Sequence, residues 1–256
     1  MDTPRLKAIE SLLDEFDYRL ESIGTQKEKP LHQSIKYYLC HDAMCHEFKI
    51  GKFIADIYKD GHITEIQTGS FQAMDHKMTK LLPDYRMTVV YPVVRRKTII
   101  EIDATSGTKK PRKSPKIGNP LQIVREIVKI KKHLFNPNLD FIIFYVDVDE
   151  YRMKSLESNP YRKHERLAQY PKGIPTLFHL KNQVDYYQLL PTDLGDEFTA
   201  LSLKKSLKLN KSDTQALIQV YKTLDIIEFK RKEGRAFVYQ LKPMMEEKHV
   251  SDARID

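Results

Sequence analysis

The sequence predicts an α/β fold with a mixed central sheet flanked by helices, followed by a smaller C-terminal unit. The apolar runs 87–94 and 141–148 have the length and composition of strands that are buried on both faces. Stretches 31–39, 70–82 and 121–134 repeat apolar residues at helical spacing between and around those strands. Helices that alternate with buried strands must cover the two faces of one sheet.

The elements before the first buried strand are two helices and a hairpin. Apolar residues about 3.6 positions apart predict a helix over 3–24, and a second helix follows the polar break that ends at Pro30. Residues 47–68 alternate as two short strands do, on either side of Asp60-Gly61. This dipeptide adopts the positive φ angles of a tight turn, so the two strands should form a hairpin.

The chain beyond the hairpin continues the alternation. Ser70 is the expected N-cap of the helix over 70–82. The strand at 87–94 should turn at Arg95–Lys97 and pair with a second strand at 98–102. Residues 104–120 are rich in Gly, Pro and Ser, which predicts an exposed, mobile loop before the helix of 121–134.

The hairpin also carries the side chains with the clearest chemical meaning. Alternation places Glu65 and Gln67 on one face, and Asp56 lies near the end of the preceding strand, where it interrupts an apolar run. The hairpin can therefore bring two carboxylates and a carbonyl to one point, and such oxygen clusters hold Mg²⁺ or Mn²⁺. The alternative is that these residues form the solvated face of a half-exposed strand.

The arrangement Asp56…Glu65-Ile66-Gln67 resembles the active-site pattern of the PD-(D/E)xK nuclease superfamily, and most closely its Glu-Ile-Gln branch, as in competence-protein CoiA-like nucleases. The resemblance covers roughly residues 30–150 and implies a restriction-endonuclease-like fold. It also implies that Asp56, Glu65 and the carbonyl of Ile66 hold Mg²⁺ (or Mn²⁺). Gln67 replaces the lysine that usually orients the attacking water.

Other site residues follow from the same resemblance. Glu47 stands where such nucleases often carry an extra acidic residue, which implies assistance at a second ion. Lys77, in the helix after the motif, corresponds to residues that reach the scissile phosphate, and a solvated lysine is the alternative. The helix before the motif often adds one more polar residue to the site, here His32 or Gln33.

The distribution of positive charge indicates a polyanionic partner. The chain has a formal net charge of +8 and a pI near 9.2. Residues 199–242 contain ten Lys or Arg and only four Asp or Glu, and no acidic residue lies between Ala104 and Pro120. Basic residues confined to segments are expected at a surface that binds the phosphate backbone. In the second segment they are Lys109, Lys110, Arg112, Lys113 and Lys116.

Residues 192–242 resemble a winged helix-turn-helix, in which the second helix enters the major groove and the wing contacts phosphates. A winged helix that docks on another protein is the alternative. The exposed candidates for DNA contact on the second helix, which Ser212 should cap, are Lys211, Thr214, Gln215, Gln219 and Lys222. Those on the wing, whose tip is expected at Lys230–Gly234, are Lys230, Arg231, Lys232 and Arg235.

The sequence thus predicts a Mg²⁺-dependent DNA endonuclease that a winged helix directs to duplex DNA. The alternatives are a non-catalytic DNA-binding protein with a degenerate nuclease fold and a nuclease that acts on RNA. The chain has two cysteines, no apolar leader and no membrane span, which predicts a cytoplasmic protein. A homodimer is possible on the sequence alone. The expected divisions are the nuclease-like domain 1–150, a linker or elaboration 151–191, the winged helix 192–242 and a flexible tail 243–256.

Overall fold

The structure is a computed structural model that describes residues 29–103, 106–154, 164–191 and 194–243. The chain divides into two compact units, one ending at Lys181 and one beginning at Asn182. The predicted helix over 3–24 lies outside the described residues, as does the predicted tail from residue 244 onward. Within the described ranges, every helix is too short or too polar to cross a membrane.

The first unit is built on a seven-stranded mixed sheet, which confirms the predicted α/β class. The strands lie in the order β1-β2-β3-β4-β6-β7, and β5 pairs with a further stretch of β4. The pairs β3–β4 and β4–β6 are parallel, and the other pairs are antiparallel. The strands are β1 (His46–Ile50), β2 (Phe53–Lys59), β3 (His62–Ile66), β4 (Arg86–Ile102), β5 (Lys109–Lys113), β6 (Leu139–Lys154) and β7 (His164–Leu180).

Helices pack on this sheet and bury its apolar strands. Leu31 and Ile35 of the first helix join Ile66, Val90 and Phe144 in one buried cluster. The segment predicted as one helix over 121–134 is instead three short helical pieces, with non-helical backbone at Ile130. The helices are α1 (Pro30–Leu39), α2 (Asp75–Leu81) and α3 (Val124–Ile127), with 3₁₀ turns at Ala43–Cys45, Phe71–Met74, Pro120–Ile123 and Val128–His133. Ser70, the expected cap, makes no side-chain capping bond.

Strand β4 runs without the turn that was predicted at Arg95–Lys97. Its 17 residues form one strand with an irregularity between Val94 and Lys97. The guanidinium of Arg95 binds Asp147 of β6, with Nε 2.7 Å from Oδ1, and the amide of Arg96 donates to the same carboxylate at 3.0 Å. The prediction of a turn was wrong because a carboxylate on the neighbouring strand satisfies these basic residues within the sheet.

The basic segment is largely ordered as a strand. Residues Lys109–Lys113 form β5, antiparallel to 98–102 of β4, so the predicted mobile loop is wrong for this stretch. Lysines and a proline are the residues that natural edge strands use against further pairing. After β5, the amide of Gly118 donates to the carbonyl of Arg95 at 2.9 Å. A Cβ at Gly118 would lie 2.0 Å from the carbonyl oxygen of Val94, so only glycine fits this approach.

The first unit extends past the predicted boundary at residue 150. Strand β6 continues to Lys154, and β7 returns antiparallel along its length. The segment 151–191, interpreted as a linker or elaboration, therefore supplies a strand of 17 residues to the main sheet. The charged residues of β7 and its two prolines, Pro171 and Pro175, hide the alternating pattern of a strand in the sequence. Strand β7 is at the edge of the sheet, where charged residues and prolines are tolerated.

The second unit contains helices and a three-stranded sheet of order β8-β10-β9. The helix Lys211–Thr223 is capped by Asn210, whose Oδ1 accepts a hydrogen bond from the amide of Asp213 at 2.9 Å. The expected cap, Ser212, lies inside this helix. The strands β9 and β10 turn at Gly234-Arg235, so the predicted tip at Lys230–Gly234 is mostly strand. The elements are α4 (Gln183–Tyr187), β8 (Glu197–Thr199), α5 (Ala200–Ser206), α6 (Lys211–Thr223), β9 (Ile227–Glu233) and β10 (Ala236–Leu241).

Candidate active site

Two carboxylates face each other across the hairpin of β2 and β3. Asp60 and Gly61 have φ angles of 51° and 77°, the positive values that a tight hairpin turn requires. The register pairs Ile57 with Thr64, and its continuation sets Asp56 opposite Glu65. Residues directly opposite on antiparallel strands point to the same face. The turn and the alternation thus bring Asp56 and Glu65 together.

Asp56 is held by groups from two directions. Its Oδ2 lies 3.3 Å from Nε2 of His32 on α1 and accepts the backbone amide of Ile66 at 2.7 Å. Burial raises the pKa of Asp56, but the bond to His32, the charge on His32 and the Ile66 amide outweigh it, so the pKa lies below its usual value. Asp56 therefore keeps its negative charge. Of the two candidates on the preceding helix, His32 is the residue at this site.

Glu65 is the more deeply buried carboxylate, with 8% of its surface exposed. The ammonium of Lys77 forms an ion pair with Glu65 Oε1 and also lies 2.5 Å from the carbonyl oxygen of Ile54. Burial, reinforced by the charge of Asp56, raises the pKa of Glu65 to about 7 even with Lys77 beside it. The raised pKa shows that Lys77 only partly offsets the cost of burying Glu65 beside Asp56.

The oxygen donors at this point are of the kind that binds hard divalent cations. Asp56, Glu65 and the peptide of Ile66 are adjacent, and carboxylate and carbonyl oxygens are the ligands of Mg²⁺. Among the described residues, no three His, Cys, Asp or Glu side chains already converge as a metal-binding group. The ammonium of Lys77 lies where a cation would contact Glu65. An ion bound here would take over part of the charge balance that Lys77 provides.

Glu47 lies next to this centre but is engaged elsewhere. The register of β1 and β2 sets it opposite Asp56, and its backbone has a φ of 50°. Its carboxylate forms an ion pair with Lys36 on α1, whose side chain is only 3% exposed. His32 and Lys36 are one helical turn apart, so α1 holds both acidic residues. A role for Glu47 at a second ion requires that the pair with Lys36 opens.

Gln67 points its side-chain oxygen toward its own chain. Oε1 accepts from the amide of Gly69 at 2.9 Å, just after the end of β3. Lys77, not Gln67, is the residue that brings nitrogen to Glu65. The sequence contains no local signal for this contact because Lys77 is 12 residues away and arrives on α2.

A cavity of about 230 Å³ lies at the start of α1, with His32 in its lining. His32 joins it to Asp56, and Thr68 enters it just beyond the end of β3. Lys29 and Arg166 give the lining positive charge, while Gln169 is held by the buried carboxylate of Glu150 at 2.6 Å. The other lining residues are Pro30, Leu31, Pro92, Val94, Leu167 and Ala168.

The basic strand β5 lies on the same edge of β4 as the hairpin. Ile66 is opposite Val90 and Lys113 is opposite Thr98, so about 25 Å of β4 separate them. Arg112 forms an ion pair with Glu101, and the ammonium of Lys109 lies 5.9 Å from the ring of Tyr151. In the described part of the chain, no acidic partner is seen for the remaining basic residues, Lys110, Lys113 and Lys116.

In the second unit, α6 exposes a polar stripe and one predicted contact residue is buried. Thr214 is 2% exposed and donates its hydroxyl to the carbonyl of Asn210 at 2.8 Å, so its prediction as an exposed DNA contact is wrong. A hydroxyl beside the cap turns back onto the helix backbone. The exposed residues of the stripe are Lys211, Gln215, Gln219 and Lys222.

The basic residues of the wing candidate differ in their partners. Lys230 and Arg231 both form ion pairs with Glu197 of β8, and Arg231 also contacts Glu233. Over the described ranges, Lys232 and Arg235 have no such acidic partner and are exposed. Phosphate contact by Lys230 or Arg231 must therefore compete with Glu197.

The raised pKa of Glu65 predicts how stability depends on pH without metal. Between about pH 4.5 and 7 the folded protein retains a proton that the unfolded chain has released, so Glu65 lowers the free energy of unfolding as pH rises through this window. The full shift corresponds to about 3 kcal/mol. Glu65→Gln should therefore be more stabilising, relative to wild type, at pH 8 than at pH 5. Urea unfolding in EDTA, followed by circular dichroism, measures this difference.

The control is the same change at Glu101, which is paired with Arg112 on the surface strand. If the effect of Glu65→Gln on stability did not depend on pH, the raised pKa of Glu65 would be contradicted.

Comparison with known proteins places the first unit in a family. The model of a domain of unknown function, DUF8091, matches residues 29–177, from just before α1 into β7. The chain belongs to this family. An uncharacterised protein of Treponema pallidum (strain Nichols) is 31% identical over 148 residues, which is 57% of this chain and 59% of the relative. The chain thus spans less than two thirds of that relative's length. No solved structure matches.

Proposed function

We propose that this member of the family is a Mg²⁺- or Mn²⁺-dependent endonuclease that hydrolyses phosphodiester bonds of DNA. The observation that supports this most is the pair Asp56 and Glu65, opposite each other on the hairpin with Lys77 at the same point. Burying two carboxylates together lowers the stability of the fold, so the pair is not there to stabilise it. Costly arrangements of titratable groups mark functional sites.

Each residue of the centre has a role that follows from its contacts. Asp56 and Glu65, with the carbonyl of Ile66, would hold the ion, which supplies a nucleophilic water at neutral pH and neutralises charge on the phosphate. His32 keeps Asp56 ionised and oriented through its contact at 3.3 Å. Lys77, which contacts Glu65, would be the cation beside the reacting phosphate. Gln67 carries no charge and could not fill that role.

The choice of DNA as substrate is supported by charge on both units. The basic edge strand β5 lies on the same edge of β4 as the carboxylates, at a distance along the strand of about seven nucleotide steps. In the second unit, a short strand is followed by two helices and a hairpin whose last strand pairs with the first. This order of elements supports the proposal of a winged helix. Its exposed stripe on α6 would lie in the major groove.

The test is cleavage of supercoiled plasmid by the purified chain in Mg²⁺, Mn²⁺ or EDTA. We expect nicked and linear products with either metal and intact plasmid in EDTA. An intact plasmid under all three conditions, with DNA still bound, would support the alternative of a DNA-binding protein with a degenerate nuclease fold. One observation favours that alternative: the side-chain oxygen of Gln67 is already bound to Gly69. A single-stranded RNA substrate in the same assay tests the RNA alternative.

The role of α6 can be read from the salt dependence of binding. Each phosphate contact that is lost lowers the slope of log affinity against log salt by about 1. The double variant Lys211→Ala/Lys222→Ala should therefore weaken duplex binding and lower this slope by about 2. The matched control is Lys49→Ala/Lys80→Ala, which removes two exposed lysines from the first unit. Fluorescence anisotropy in EDTA gives the slopes, and equal slopes for the two double variants would point to a protein-docking role.

A further inference from the structure

Two phenylalanines protrude from the hairpin of β9 and β10. Phe229 is 50% exposed and Phe237 is 52% exposed, although phenylalanine is usually buried in folded domains. Their ring centroids are 5.6 Å apart with an interplanar angle of 89°. Two exposed aromatic rings in contact form an apolar surface patch that the packing of the second unit does not require.

The register shows why the rings stay outside the core. Phe229 is paired with Tyr239, and alternation places Tyr239 and Phe237 on the same face of β10. Tyr239 is buried, and its ring lies 6.3 Å from that of Phe198. Phe237 lies two residues nearer the turn than Tyr239, and Phe229 lies on the outer strand β9. The buried aromatic row thus continues outward as an exposed pair.

Two exposed basic residues, Lys232 and Arg235, lie near this pair in the hairpin. Lys232 is directly opposite Phe237 in the ladder and so lies on the same face. Arg235 is at the turn, and neither residue has an acidic partner within the described residues. Aromatic rings beside unpaired basic side chains are the combination that binds single-stranded nucleic acid, because the rings stack on bases while the basic groups contact phosphates. Paired bases inside a duplex do not offer their faces to such rings.

We propose that the β9–β10 hairpin binds an unpaired DNA strand, with nucleobases stacked on Phe229 and Phe237 and phosphates beside Lys232 and Arg235. This proposal rests on the proposed DNA binding of the second unit and makes it more specific. The preferred substrate is then DNA with a single-stranded segment, such as an open end or a junction between duplex and single strand. Duplex contacts through α6 are a separate surface.

The test uses the full chain in EDTA with a 20-nucleotide oligo-dT and a 20-base-pair duplex, measured by fluorescence anisotropy. Phe229→Ala/Phe237→Ala should lower affinity for oligo-dT about 10- to 100-fold, with an unchanged salt slope because no charge is lost. Duplex affinity should stay within about twofold. Leu201→Ala, which truncates an exposed apolar side chain on α5, is the control and should leave both affinities unchanged.

A spectroscopic variant measures stacking directly. The chain contains no tryptophan, so Phe237→Trp introduces a single reporter ring. Its fluorescence should be quenched by oligo-dT at saturation, whereas that of Leu201→Trp should not. Unchanged oligo-dT affinity in the double alanine variant, or an unquenched Trp at position 237, would overturn the stacking proposal while duplex binding survives. Failure of the wild-type chain to bind either DNA would overturn the proposed DNA binding as well.

Discussion

Asp56→Asn and Glu65→Gln are each expected to reduce plasmid cleavage about 1000-fold or more. Both residues would contact the ion, and losing one carboxylate leaves a hard cation weakly held and its water insufficiently acidic. The two substitutions preserve side-chain size and leave one oxygen that accepts hydrogen bonds, so DNA affinity in EDTA should remain within about twofold. Single-turnover cleavage at saturating DNA and excess Mg²⁺ measures the loss directly.

The matched control for this prediction is Asp60→Asn on the same hairpin. Asp60 is exposed at the turn, and asparagine accepts its positive φ angle. The control should therefore cleave at close to the wild-type rate. Near-normal cleavage by Asp56→Asn or Glu65→Gln would refute the assignment of the catalytic centre, whatever the DNA affinity.

Loss of Lys77 is expected to have the second largest effect. Lys77→Gln removes the ammonium that contacts Glu65 and, in the proposed mechanism, stabilises charge on the reacting phosphate. The cleavage rate at saturating DNA should fall about 100-fold. Lys80→Gln, an exposed lysine one turn along α2, is the control and should cleave normally.

Moving the lysine tests whether Lys77 replaces the missing residue of the motif. In the double variant Gln67→Lys/Lys77→Gln the ammonium returns to the third motif position on β3. We expect it to recover at least about tenfold of the rate lost in Lys77→Gln, because an ammonium near the phosphate is what the reaction requires. A normal rate for Lys77→Gln alone would instead assign Lys77 to charge balance in the metal-free protein.

Local sequence signals were sufficient for the hairpin. Asp60-Gly61 specifies its turn, and period-two alternation sets which residues share a face, so the opposition of Asp56 and Glu65 was predictable. The buried strands around 87–94 and 141–148 were equally predictable, because strands covered on both faces must be apolar. These features depend on residues that are close together in the sequence.

Long-range pairing determined the parts that the sequence did not reveal. Prolines and charged residues, which are typical of loops, occur in both Lys109–Lys113 and His164–Leu180. These segments are nevertheless strands, because each pairs with a neighbouring strand of the same sheet.

The same distinction separates the two halves of the candidate site. The sequence by itself determined which carboxylates meet, because one tight turn sets their register. The resemblance named Lys77, and His32 or Gln33, as site candidates. Only the tertiary structure decided that Lys77 and His32 contact those carboxylates and that Gln67 binds Gly69 instead. The physical reason is that the packing of a helix's apolar face on the sheet determines which strand its polar side chains contact. In α1 that packing is made by Leu31 and Ile35, which are far in the sequence from the strands they cover.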